Sequence, residues 1–135
     1  MSQTIEVKVK GFTVTEALDP KSKTEIPAKF KSKAVTALKS VQVDPPKGKT
    51  LTDYSASFAV AIKKHPKGVR AEVHFSFFDQ DIYSKRDKLL GEGTSGATVQ
   101  TPNPDKGDTE AAVQAALNDA LDSVKGGVKD TAKKP

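Results

Sequence analysis

The segment Gly91-Glu92-Gly93-Thr94-Ser95-Gly96 matches G-x-G-x-x-G, a spacing that serves phosphate binding when a strand leads in and a helix N-terminus receives the anion. The residues after Gly96 are Ala97-Thr98-Val99, followed by Pro102 and Pro104, so no helix follows directly. The glycines read instead as a flat strand surface on which a helix can pack closely. Asp79, Asp81 and Asp87 suggest a calcium loop. Counted from Asp79, the sixth position is Ser84 and the twelfth is Leu90, where such a loop needs glycine and a bidentate glutamate. Lys85, Arg86 and Lys88 also offset the local negative charge. His65 in a tight turn and His74 on a strand should lie roughly 20 Å apart at about 3.3 Å per residue, too far to share a metal or a proton. The chain has no cysteine, which excludes disulfides, thiolate metal sites and cysteine nucleophiles. The expectation is a chain with no catalytic residues, no cofactor and no metal.

Charge offers a different chemistry. The formal net charge is +5, and the first 50 residues hold ten Lys against five acids. Lys21, Lys23, Lys29, Lys31, Lys33 and Lys39 form the richest stretch, interrupted by Glu25 alone. Such a cluster can attract a phosphate backbone, or simply keep a small domain dissolved. Arginine occurs only at Arg70 and Arg86, and no row of aromatic residues is interleaved with the lysines. Bidentate base readout and base stacking therefore lack their usual tools. The words Val60-Ala61-Ile62-Lys63 match the lysine strand of protein kinases, but they precede the glycines and no H-R-D segment follows. Leu90 to Gly96, followed after a loop by Ala111 to Leu117, resembles the last strand and helix of a double-stranded RNA-binding domain. That resemblance implies paired lysines at the helix start, where this chain has Asp108-Thr109-Glu110.

The elements that must position these residues are easier to read. Tyr54, Ala56, Phe58, Val60 and Ile62 alternate with small or polar residues, as do Val69, Ala71, Val73, Phe75 and Phe77. Period-two alternation marks half-buried strands, and His65-Pro66-Lys67-Gly68 puts Pro and Gly where a β-turn prefers them. Pairing His65 with Gly68 sets Ile62 opposite Ala71, Val60 opposite Val73 and Phe58 opposite Phe75, which puts every apolar residue on one face. Ile5, Val7 and Val9 predict a first strand, and the parity switch to Phe12 and Val14 predicts a bulge at Gly11. Residues 26–41 read as helix from the stripe Phe30, Ala34, Ala37, Leu38 and Val41, with Thr24 as a candidate cap. The alternation of residues 28–34 keeps a strand open as the other reading. Val41-Gln42-Val43 predicts a short strand, and Leu89 to Thr101 a glycine-rich one. Val113, Ala116, Leu117, Ala120, Leu121 and Val124 predict a final helix, capped by Asp108 and stopped at Gly126.

These elements predict an α+β fold: a single antiparallel sheet of about four strands with one or two helices on one face. One domain is expected over residues 2–126, followed by a disordered lysine-rich tail at 127–135. The longest apolar run, Phe58 to Ile62, is far shorter than a membrane span requires. No charged-then-apolar leader follows Met1, which leaves a cytoplasmic protein, or an exported one read without its leader. The functional expectation is a non-enzymatic protein-binding or assembly module that uses a sheet face or edge. Its partner is another protein or a second copy of itself. The candidate partner face comprises Ser57, Arg70, Glu72, His74 and Phe78. The alternative is a weak, sequence-nonspecific nucleic-acid binder working through the Lys21–Lys39 cluster.

Overall fold

The computed structural model describes residues 2–80, 83 and 86–135. Its elements are β1 (Gln3–Ile5), β2 (Val7–Glu16), α1 (Ser22–Leu38), β3 (Val41–Val43), β4 (Tyr54–His65), β5 (Gly68–Gln80), β6 (Asp87–Gln100) and α2 (Lys106–Lys133). The β4–β5 hairpin has the expected register, with His65 opposite Gly68, Ile62 opposite Ala71, Val60 opposite Val73 and Phe58 opposite Phe75. Its apolar residues are buried under the two helices, and the rings of Phe12 and Phe58 meet at 5.9 Å between centroids. The predicted bulge is present, since the β2 register shifts between Val9 and Gly11.

The sheet differs from the expected one in two ways. It is mixed, in the order β2-β4-β5-β6, with β2 parallel to β4. A second, two-stranded sheet pairs β1 with β3. Period-two alternation reports which face is buried but not the direction of the neighbouring strand. The direction comes from the crossover: a parallel neighbour needs a long return, which α1 supplies between β2 and β4.

Residues 26–41 do form a helix as far as Leu38. Ile26, Phe30, Ala34 and Leu38, each four residues on from the last, are its buried stripe. Thr24 is not the cap. The chain enters α1 through bonds from the N–H of Ser22 to Asp19 and of Lys23 to Pro20, and no side chain caps its start.

Three details of α2 differ from expectation. Asp105, not Asp108, is the N-cap. Its carboxylate accepts from the Asp108 N–H at 2.9 Å, and the Asp108 carboxylate accepts from the Asp105 N–H at 3.0 Å. This reciprocal pair satisfies two helix-end donors. The helix also runs through Gly126 to Lys133, so residues 127–133 are not a disordered tail. Val128 and Ala132 extend the buried stripe from Val124 at intervals of four. At the far end, the Lys49 ammonium donates to the carbonyls of Thr131 at 3.0 Å and Ala132 at 3.2 Å, capping α2 from a distant loop.

The glycines make room for rings. A Cβ at Gly91 would lie 2.6 Å from Phe77 Cζ, and one at Gly93 would lie 2.7 Å from Phe75 Cζ. Both glycines stand directly opposite those phenylalanines in the β5–β6 ladder. Gly127 of α2 approaches the same Phe77 ring from the helix side, where a Cβ would come within 2.2 Å of Cζ. Phe77 is therefore seated between two backbones, and two of the three glycines in the spacing that resembled a phosphate loop serve core packing.

Candidate functional site

Both helices cover one face of the sheet, and the other face carries no helix among the described residues, though Ser55 on it is only 4% exposed. On β5 the alternation that buries Val69, Ala71, Val73, Phe75 and Phe77 turns Arg70, Glu72, His74, Ser76 and Phe78 outward. Glu72 sits between two cations, 2.8 Å from Lys63 Nζ and 3.3 Å from Arg70 Nε. Hydrogen bonds from Lys63 and then Arg70 hold its carboxyl below the usual glutamate range, and the same Lys63–Glu72 bond raises the lysine. Arg70 also donates from Nη1 to Thr98 Oγ1 at 3.1 Å. Its guanidinium lies across Gly96, where a Cβ would be 2.2 Å from Nη2. His74 Nδ1 and Thr94 Oγ1 are 3.2 Å apart.

Of the expected partner face, Arg70, Glu72 and His74 are brought together in one file, and their polar groups link β4, β5 and β6. Phe78, opposite Ser55, and Ser57, opposite Ser76, mark the other end of that face. Phe78 also faces Leu89 of β6, which is 50% exposed.

The two edges of the four-stranded sheet differ. The β2 edge carries Lys8 and Lys10 and two register irregularities, between Val9 and Gly11 and between Val14 and Glu16. Charged side chains and bulges are devices that stop a foreign strand from pairing. From Gly91 to Gln100, β6 pairs with β5 without a shift, and Glu92 is the one charged residue of that stretch. Among the described residues no strand pairs with the outer side of β6. Sequence reasoning found the strand but not the edge, because an edge exists only once the strand order is known. The run of low charge from Leu89 to Gln100 is the signal that could have raised it.

The lysine cluster does not converge. At about 100° per residue, Lys29 and Lys33 share one flank of α1 while Lys31 points roughly 160–200° away. Lys29 pairs with Glu110 of α2, and Lys33 donates to Gln114 Oε1 at 2.8 Å while standing 5.0 Å from the Phe30 ring. Lys21, Lys23, Lys31 and Lys39 are exposed along the remaining surface. Of the acidic loop, Asp79 accepts from the Thr52 hydroxyl and Asp87 pairs with Lys10 at 3.1 Å, while Asp81 lies outside the described residues. The start of α2, where the resemblance to double-stranded RNA-binding domains calls for lysines, carries the Asp105–Asp108 capping pair. Its Lys106 is engaged by Glu25 at 2.7 Å. No helix among the described residues is long and apolar enough to cross a membrane.

No protein-family model, no curated protein and no solved structure matches this chain.

Proposed function

We propose that this chain is a non-enzymatic protein-binding or assembly module that takes up an extended partner strand along the free edge of β6. One observation carries the reading: the contrast between the guarded β2 edge and the regular, nearly uncharged run from Gly91 to Gln100. Strand addition of this kind draws affinity from backbone hydrogen bonds and specificity from alternate side chains. The partner is an extended segment of another protein or, in self-association, β6 of a second copy. Nucleic-acid binding through the lysines has less support, because Lys29 and Lys33 are engaged with α2 and the other four are spread around the helix.

The test pairs hydrogen exchange with an edge-blocking variant. A partner captured from the source cell should protect the amides of residues 91–100. Glu92→Lys with Thr94→Lys, both at exposed positions, should abolish capture and leave the melting temperature unchanged. Protection confined to Arg70, Glu72 and His74, or to α1, would refute the edge reading.

A further inference from the structure

A cleft of about 610 Å³ opens where the N-terminal ends of α1 and α2 meet. Its volume falls within the range of about 300–1,000 Å³ usual for small-molecule sites. The floor is apolar, formed by Ile26 of α1, Ile62 of β4 and Leu18 of the β2–α1 connection, and Leu18 is 54% exposed. The rim is charged and acid-rich: Asp19, Glu25, Asp105 and Glu110 against Lys29 and Lys106. Both lysines are held in ion pairs with rim acids, Lys106 with Glu25 and Lys29 with Glu110. The ion pairs are taken by Glu25 and Glu110, and Asp19, which lies within electrostatic reach of Lys106, and Asp105 add two further carboxylates to the rim.

Two helix N-termini at one cleft would ordinarily favour an anion. Here the protein's own oxygens occupy several of those donors. Asp105 accepts from the Asp108 N–H, the Asp105 carbonyl from Thr109, the Asp19 carboxylate from Lys21 and the Asp19 carbonyl from Ser22. An incoming carboxylate or phosphate would meet the Asp19 and Asp105 carboxylates, which already take up several of the helix-end donors. A cation on an apolar body meets complementary charge above a complementary floor.

We propose that this cleft is a binding site for a small amphipathic cation, an aliphatic or aryl amine, with its apolar part on Leu18, Ile26 and Ile62 and its ammonium group between Asp19 and Asp105. The site is separate from the β6 edge and does not depend on it.

The probes are n-hexylammonium, hexanol and hexanoate, which share an alkyl chain and differ in charge. NMR titration of the intact chain should show saturable shifts at residues 18–29 and 104–110 with hexylammonium. Hexanoate should bind about tenfold more weakly or not at all, one decade corresponding to about 1.4 kcal/mol. Asp19→Asn together with Asp105→Asn keeps both oxygen acceptors, and Asn caps helices as well as Asp does. That double variant should bring hexylammonium affinity down to that of hexanol. Ala28→Trp, at an exposed position on the cleft wall, should abolish binding of the amine without lowering the melting temperature. Hexanoate binding as tightly as hexylammonium would overturn the proposal. So would amine binding that persists in Ala28→Trp, or no saturable shifts with hexylammonium.

Discussion

Gly126 and Gly127 are neighbours in one helix, yet alanine should act in opposite directions at the two positions. A Cβ at Gly126 meets nothing within 4 Å, so Gly126→Ala should behave as in an exposed helix and stabilise by about 0.5–1 kcal/mol. A Cβ at Gly127 would stand 2.2 Å from Phe77 Cζ and 2.8 Å from Cε2. Comfortable carbon–carbon separations are about 3.5–4.0 Å, so ring or helix must shift by more than about 1 Å. The ring has little room to retreat, because the position a Cβ would take on Gly91 is 2.6 Å from the same Cζ on its other side. Overpacking of this kind costs about 1–3 kcal/mol, so Gly127→Ala should lose stability despite its gain in helix propensity. Urea unfolding followed by far-ultraviolet circular dichroism reads both variants, with an unchanged slope showing that stability alone has moved. Phe77→Leu removes the ring tip, and in that background Gly127→Ala should turn stabilising, a coupling that a double-mutant cycle isolates. If Gly127→Ala stabilised the wild-type chain as much as Gly126→Ala, the seating of Phe77 between two backbones would be wrong.

Phe58→Ala should cost about 3 kcal/mol or more in the same assay, since Phe58 is buried and packs on Phe12, whereas Ser57→Ala should cost little. Ending the chain after Gly126 should lower the melting temperature by several degrees, because it strips Val128, Ala132 and the carbonyls that Lys49 caps; an unchanged midpoint would count against the docked end of α2. Stability should fall as pH rises past about 10. Burial and then the charge of Asp79 push the Tyr54 phenol above its ordinary 10.0, so the unfolded chain gives up that proton first and deprotonation favours unfolding. Tyr54→Phe should flatten the alkaline limb of a stability–pH curve, and a limb of undiminished slope would assign it to other groups.

Where neighbouring residues in sequence are also neighbours in space, the fold was legible before the structure. The β4–β5 register followed from two cues that had to agree, the apolar parity from Tyr54 to Phe77 and the Pro66–Gly68 turn. The bulge at Gly11 followed from a change of parity within a few residues. What stayed hidden depends on partners far along the chain. The parallel pairing of β2 with β4 is set by the return through α1, and the β1–β3 pair by that same crossover. The helix was read as stopping at Gly126, and the reason the next residue is also glycine, the Phe77 ring against Gly127, lies fifty residues upstream. The candidate surfaces follow the same rule. Arg70, Glu72 and His74 were legible as one outward row on one strand. The edge of β6 and the cleft at the two helix starts exist only after strands and helices take their places.

The seating of Phe77 also has a consequence for how the chain is made. α2 leaves the ribosome after every strand it covers, so Phe75 and Phe77 emerge with neither helix backbone nor a settled β6 against them. Gly91, Gly93 and Gly96 give β6 little strand preference of its own, and the rings that fill its gaps are themselves held by α2. At about 5–20 residues per second, the 28 residues of α2 take on the order of seconds to appear. Through that interval the nascent chain presents a greasy sheet face beside an incomplete edge, the combination most prone to intermolecular pairing. α2 then covers the sheet face, and by seating Phe77 it settles β6 in its ladder, while among the described residues the outer edge of β6 stays unpaired.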